Sequence, residues 1–326
     1  MIDVANPMFD VIQSDLEKLE DRLKEDVASP VEGVTQTILD LITSGGKRIR
    51  PALCLLAAHG GPKFDLERTM PMAEAMELIH TASLVHDDVI DESDTRRGTA
   101  TANARWGNQV AILAGDYVFA RAFSLIADGN YDAFVTKKLA ELVSNLSIGE
   151  IIQDRNIYQA VRDVEDYYSR IQKKTADFLE TCCELGAWIS DMEPGDVRRM
   201  AEYGHDIGMA FQITDDCLDI VETEATTGKP TGNDIRQGIL TLPVIHAMEV
   251  STDAAELQRI VTDPEMTDEM AERALVIVRA TDGVDFAKDK ADAFLDKARA
   301  ALPENLPPDI REAFLMVVDF IGDRDF

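Results

Sequence analysis

The pattern Asp-Asp-x-x-Asp occurs twice, as Asp87, Asp88 and Asp91 in SLVHDDVIDESD and as Asp215, Asp216 and Asp219 in FQITDDCLDI. On a helix the first and last aspartates of each set stack on one face, with the middle one at its edge. Two carboxylates about 6 Å apart repel by roughly 3 kcal/mol at an effective dielectric near 20. The first set also closes a predicted helix, where the macrodipole disfavours anions. Local stability therefore opposes the clusters, and a bound cation would explain them. Neither set has the Cys and His donors of a zinc centre, and oxygen donors alone suit Mg²⁺. Mg²⁺ takes one or two carboxylates and completes its shell with water and phosphate oxygens. Two such clusters point to a diphosphate held between them.

The rest of the composition narrows the partners. Asp and Glu number 61 against 32 Lys and Arg, a net charge of −29 with a sequence pI near 4.4. Such a surface repels nucleic acid and anionic membranes, so neither is expected as a partner. It reads as a halophile-like solvation adaptation, with salt relaxing the self-repulsion; a surface made for a basic partner is the alternative. Cys54, Cys182, Cys183 and Cys217 have no metal-type spacing, which fits a reducing compartment. The start, MIDVANPMFD, lacks a basic n-region and an apolar h-region, and no uninterrupted apolar run reaches membrane-span length. A cytoplasmic location is expected.

Helical periodicity dominates. In residues 7–27, Phe9, Val11, Ile12, Leu16, Leu19 and Leu23 recur at helical spacing; a second helix is predicted over 31–42, ending at Ser44-Gly45-Gly46, and Pro51 sits in the first turn of a third. Further helices are predicted over 65–91, 109–127, 131–153, 163–190, 196–221, 242–249, 254–261, 268–280, 284–301 and 308–321, and no segment reads as strand. Because the two aspartate sets need each other, the expected architecture is one all-α domain over residues 1–326, its antiparallel helices enclosing a deep central cavity.

In a chain this acidic, clustered cations stand out. Gly45 and Gly46 precede Lys47, Arg48, Arg50 and Pro51, a plausible anion cradle. Arg96 and Arg97 follow the first aspartates, Lys173 and Lys174 lie on a predicted helix, and Lys229 follows the second aspartates. Together GGKRIRP, HTASLVHDDVIDESDTRRG, GEIIQ, KKTADF, GMAFQITDDCLDI and GKPTGNDIRQGILTLP, spread over roughly residues 40 to 245, resemble the ordered motifs of the trans-isoprenyl diphosphate synthases.

That resemblance implies an all-α enzyme, usually homodimeric, in which three Mg²⁺ ions bridge both aspartate motifs to an allylic diphosphate. It makes Asp87, Asp88, Asp91, Asp215, Asp216 and Asp219 the metal ligands. It assigns Arg96, Lys174 and Lys229 to the allylic diphosphate, and Lys47, Arg50, His80 and Arg97 to isopentenyl diphosphate. It puts Thr175 and Gln212 at the reacting centre and Asp234 in the outer carboxylate shell. Gln153 either lines the cavity or is a satisfied amide, and His86 reads less well as a ligand than the carboxylates beside it. Many members carry Lys where Ile239 stands here, which puts one auxiliary diphosphate contact in doubt.

A class I terpene cyclase would lack the isopentenyl cradle and the second full motif. A metal phosphohydrolase would leave Arg96 and Arg97 unexplained, and a non-catalytic subunit would usually have lost a motif. Ala82 and Ser83, five and four residues before Asp87, are small and leave the product channel open, which implies twenty carbons or more and leans to about thirty to forty. A geranylgeranyl synthase stopping at twenty is the alternative, and Phe119 or Phe123 is a candidate deeper stop. Ser83→Phe or Ala82→Tyr is expected to shorten the main product, read by chromatography with labelled isopentenyl diphosphate. An unchanged product distribution would refute this role.

Overall fold

The computed structural model describes residues 7–27, 32–43, 46–96, 98–159, 164–221 and 232–323. In chain order the helices are α1 (Gln13–Asp26, after a 3-10 turn at Pro7–Ile12), α2 (Glu32–Thr43), α3 (Ile49–His59) and α4 (Leu66–Ile90). Next come the two-residue strands β1 (Thr95–Arg96) and β2 (Thr99–Ala100), then α5 (Ala102–Trp106), α6 (Asn108–Asp128), α7 (Ala133–Asn156) and α8 (Val164–Ile171). A π turn at Gln172–Ala176 joins α8 to α9 (Asp177–Ile189), which is followed by α10 (Pro194–Val221) and α11 (Asn233–Arg236). The last are α12 (Leu242–Val250), α13 (Ala254–Val261), α14 (Asp268–Arg279), α15 (Gly283–Ala301) and α16 (Pro308–Gly322). The predicted all-α class is borne out. Some details differ: a π turn widens residues 172–176 within the helical stretch expected over 163–190, the short helices α5 and α11 were not expected, and β1 pairs antiparallel with β2 where no strand was expected.

The chain divides into two compact units. One comprises residues 1–143, 181–201 and 303–316, the other 144–180, 202–302 and 317–326. The first is built on α4, whose residues from Met72 to Ile79 are all buried. Burial on every side makes it a core helix rather than a surface one, and its buried Glu74 and Glu77 are paired with Arg22 and Arg48. Asp65 caps it, its side chain accepting from the Glu67 amide at 3.1 Å. The run PALCLLAA in α3 is buried throughout. From α1 and the preceding turn, Phe9, Ile12, Leu16, Leu19 and Leu23 go inward, each worth about 1.5–3 kcal/mol of transfer free energy. Val11, grouped with them by spacing, is instead exposed, because the 3-10 turn rotates it off the face that α1 continues.

α6 is long and apolar enough to cross a membrane, despite Asp116 and Arg121. Ala111, Ala114, Gly115, Val118, Ala122 and Ile126 are buried, and Ile112 and Leu113 stand out at 45% and 60% exposure.

In the second unit, close helix approach depends on missing side chains. A Cβ on Gly204 would lie 2.5 Å from the Leu179 carbonyl oxygen, and one on Gly208 would lie 2.5 Å from the Ala176 Cα. These contacts seat α10 against the π turn and the start of α9. Backbone cannot yield as a flexible side chain can, so Gly208→Val is expected to cost about 1–3 kcal/mol, read as a lower denaturant midpoint. An unchanged midpoint would contradict this packing.

Candidate active site

The first aspartates end α4 as predicted. Asp91 is the C-cap, its amide bonded to the Asp87 carbonyl at 2.8 Å. The middle aspartate, expected at the edge of the face, is the buried one. Asp88 is 3% exposed, Asp87 is half-buried and Asp91 is exposed. Burial raises the Asp88 carboxyl above the usual carboxylate range, and Arg96 opposes the rise. The Arg96 Nε donates to Asp88 Oδ1 at 2.7 Å.

A tight turn delivers that arginine. Gly98 adopts φ 76° between β1 and β2, and the Thr101 hydroxyl and the Asn103 amide both donate to the Ser93 carbonyl. The ribbon therefore folds back over the helix end with Arg96 facing Asp88. Arg97 lies outside the described residues.

The basic cradle splits by function. Arg48 takes a left-handed conformation at φ 49° as the N-cap of α3 and turns inward. Its guanidinium donates to Glu20 and Glu77, each at 2.5 Å, and to the Ile42 carbonyl. Lys47 is exposed and Arg50 half-buried, with the Arg50 Nη1 3.4 Å from the His80 Nε2. Arg50 and His80, predicted to serve one ligand, are thus neighbours. Sequence reading had grouped Arg48 with Lys47 and Arg50, because nothing local marks which cation has distant carboxylate partners.

On α4, Ala82 has no accessible surface, while Ser83 is half-buried and donates to the His80 carbonyl at 2.9 Å. His86 points to α6. Its Nε2 is 3.0 Å from the Ile112 carbonyl and 3.6 Å from Asp116, and its ring lies over Gly115 and beside Phe119. It ties two helices together. Phe119, weighed as a channel stop, packs on that histidine.

In the second unit a chain of hydrogen bonds, part-buried at Gln212 and buried at Tyr167, converges on Asp216. The Thr175 hydroxyl donates to Gln212 Oε1 at 2.7 Å, and Gln212 Nε2 donates to Asp216 Oδ1 at 2.8 Å. The Tyr167 hydroxyl donates to Asp216 Oδ2, also at 2.8 Å. Asp219 accepts from the amides of Asn233 and Asp234, each at 3.0 Å, and so caps α11. Burial pushes the Asp216 carboxyl up to about 6, with the two donors and Arg170 pulling it back. Asp234 is raised well above its ordinary value, first by burial and then by Asp216 and Asp219. Lys174 meets Glu150 at 2.8 Å and Gln153 Oε1 at 3.3 Å, which makes Gln153 a satisfied amide. Lys229 lies outside the described residues.

Tyr167 and Arg170 were not anticipated. They stand one turn apart on α8, outside every motif, and only the fold brings them to Asp216. Arg170 is buried; its guanidinium lies 5.4 Å from the Tyr167 ring centroid and donates to the Leu240 carbonyl at 2.9 Å.

No three Asp, Glu, His or Cys side chains among the described residues already converge as a ligand set. The donors nevertheless fit a hard divalent cation that takes few protein ligands and completes its shell from water and phosphate. Burial raises the Asp216, Asp219 and Asp234 carboxyls above the usual carboxylate range, and Arg170, Lys174 and Arg236 oppose the rise.

Comparison with known proteins identifies the family. Residues 31–278 match the polyprenyl synthetase family model. A protein named heptaprenyl diphosphate synthase component 2 from Geobacillus stearothermophilus is 41% identical, with 98% of each chain covered. A nonaprenyl diphosphate synthase from Mycobacterium tuberculosis is 34% identical over 99% of this chain and 96% of its own. A polyprenyl synthase from Caulobacter crescentus, solved with calcium and isoprenyl diphosphate, superposes with TM-score 0.90 at 31% identity, with 98% of each chain covered. This chain belongs to the polyprenyl synthetase family. It is therefore a prenyl-transferring enzyme.

Removing Arg48 would leave the Glu20 and Glu77 carboxylates with a lost partner inside the protein. Arg48→Met is expected to lower unfolding free energy by about 3–5 kcal/mol, measured by denaturant titration. A loss below about 1 kcal/mol would contradict a structural role for this cation.

Proposed function

We propose that the protein condenses isopentenyl diphosphate head-to-tail with an allylic diphosphate, releasing inorganic diphosphate and an all-trans product in the range of about thirty to forty carbons. Two oxygen-only carboxylate clusters in one chain carry the proposal: Asp88 accepts from Arg96, and Asp216 accepts from the neutral donors Tyr167 and Gln212. The hepta- and nonaprenyl synthases among its relatives support the longer products. The whole chain is taken to work as one synthase domain, with both clusters serving the same diphosphate.

In this reading Asp87, Asp88, Asp91, Asp215, Asp216 and Asp219 hold Mg²⁺, about three ions as the family resemblance implies. When bound, Mg²⁺ supplies positive charge where the leaving diphosphate becomes most negative. Arg96, Lys174 and Lys229 hold the allylic diphosphate, and Lys47, Arg50, His80 and Arg97 hold isopentenyl diphosphate. As the allylic C–O bond ionises, the Thr175 hydroxyl and the Gln212 amide, already bonded to each other, present fixed dipoles to the cation. The isopentenyl double bond attacks and a proton passes to the departing diphosphate. Water is excluded, because it would quench the cation. Ser83, which keeps accessible surface, lines the channel for the growing tail more directly than Ala82.

A second copy of the chain is the proposed partner, covering the apolar α6 face at Ile112 and Leu113. A second reading, a two-component synthase, is favoured by the name of the Geobacillus relative. A cytoplasmic site and adaptation to salt complete the proposal, both resting on the acidic composition.

Product chromatography of the purified chain with Mg²⁺, isopentenyl diphosphate and each allylic starter, at low and high salt, is the direct test. Activity of the chain alone would exclude an obligatory second component. Asp87→Asn and Asp215→Asn are each expected to lower kcat by at least about 100-fold, equivalent to several kcal/mol of lost transition-state stabilisation. Full turnover in either variant, or hydrocarbon release from an allylic diphosphate alone, would overturn the reading.

A further inference from the structure

Outside the motifs, the most completely built polar contact at the candidate site is that between Tyr167 and Asp216. Both side chains are buried, at 3% and 4% exposure, and the phenol donates to Oδ2 at 2.8 Å. Gln212 occupies the other oxygen at 2.8 Å and is itself fixed by Thr175. One donor on each oxygen sets the plane of the carboxylate and leaves each oxygen a lone pair. Tyr167 is fixed in its turn, with Arg170 near its ring at 5.4 Å and the ring of Tyr168 edge-on at 5.5 Å. Arg170 is tied to the Leu240 carbonyl, so α8 presents a preset donor to α10 rather than a mobile one.

We propose that Tyr167 is a positioning residue for divalent-cation binding: its hydroxyl orients Asp216 so that the free lone pairs of that carboxylate meet the ion. The inference rests on the proposed role of Asp216 as a cation ligand. A phenol fits this task because it is neutral at working pH, adds no charge to an acidic cluster and offers a single O–H donor. Lysine or arginine in the same place would satisfy Asp216 by ion pairing and compete with the cation. Residues that orient a ligand in this way commonly change cation affinity by about 10–100-fold when removed.

The test is Tyr167→Phe, which keeps the ring and deletes only the hydroxyl. Two quantities are read against the parent: the Mg²⁺ concentration giving half-maximal prenyl transfer at saturating substrates, and equilibrium Mn²⁺ binding to the substrate-free protein, followed by water-proton relaxation. The expected result is a rise of about tenfold in the Mg²⁺ midpoint with a parallel loss of Mn²⁺ affinity, while kcat at saturating Mg²⁺ stays within about threefold. Asp216→Asn, alone and combined with Tyr167→Phe, completes a double-substitution cycle in which the tyrosine change adds nothing once the carboxylate is gone. If the phenylalanine chain does not fold, Tyr167→Met carries the same expectation. An unchanged midpoint in the Tyr167 variant beside a shifted one in Asp216→Asn would overturn the positioning role and leave the proposed reaction standing. No effect of Asp216→Asn itself would overturn the reading of the site.

Discussion

Asp216 lies at 4% exposure with one neutral donor, the Tyr167 hydroxyl or the Gln212 amide, on each of its oxygens. An unpaired charge in that position would cost several kcal/mol. Burial pushes the carboxyl up to about 6, and these donors together with Arg170 oppose the rise. The surrounding architecture serves that compromise. Gly204 and Gly208 let α10 lie against the π turn, which carries Thr175, and α8 brings Tyr167 from the other flank. At the end of α4 the cation is in direct contact: Arg96, delivered on a short ribbon, donates to Asp88 at 2.7 Å.

The π turn shows how backbone irregularity and chemistry coincide. Residues Gln172–Ala176 interrupt what periodicity reads as one long helix, and the interruption holds Lys174 and Thr175. Single wide turns of this kind cost helix regularity and are common at functional sites. Here the widened turn re-aims two consecutive polar side chains, Lys174 toward Glu150 and Gln153 and Thr175 toward Gln212.

Much of this was legible in the sequence, and the reasons for the exceptions are physical. Apolar spacing located the long helices because burial of one face leaves a periodic trace, whereas α4, buried on every side over Met72–Ile79, shows mainly by its length. The aspartate sets and the basic loop stood out because charge so concentrated is locally unfavourable. What periodicity does not record is partnership across the chain. Arg48 and Arg50 are two residues apart and look alike. Only the fold shows that the first is committed to Glu20 and Glu77, while the second lies beside His80. Tyr167 and Arg170 read as an ordinary helical stretch for the same reason. The β1–β2 ribbon was missed because two residues per strand are too few to alternate.

Asp219 carries two obligations. Its oxygens receive the first amides of α11, so the carboxylate is also the peg on which residues 233–236 hang. Chain geometry downstream of the second motif is thereby linked to the same oxygens that the proposed reaction needs. Lost turnover after replacement of this one residue would combine a chemical deficit with a loosened α11, and the two could be told apart only by watching that helix directly.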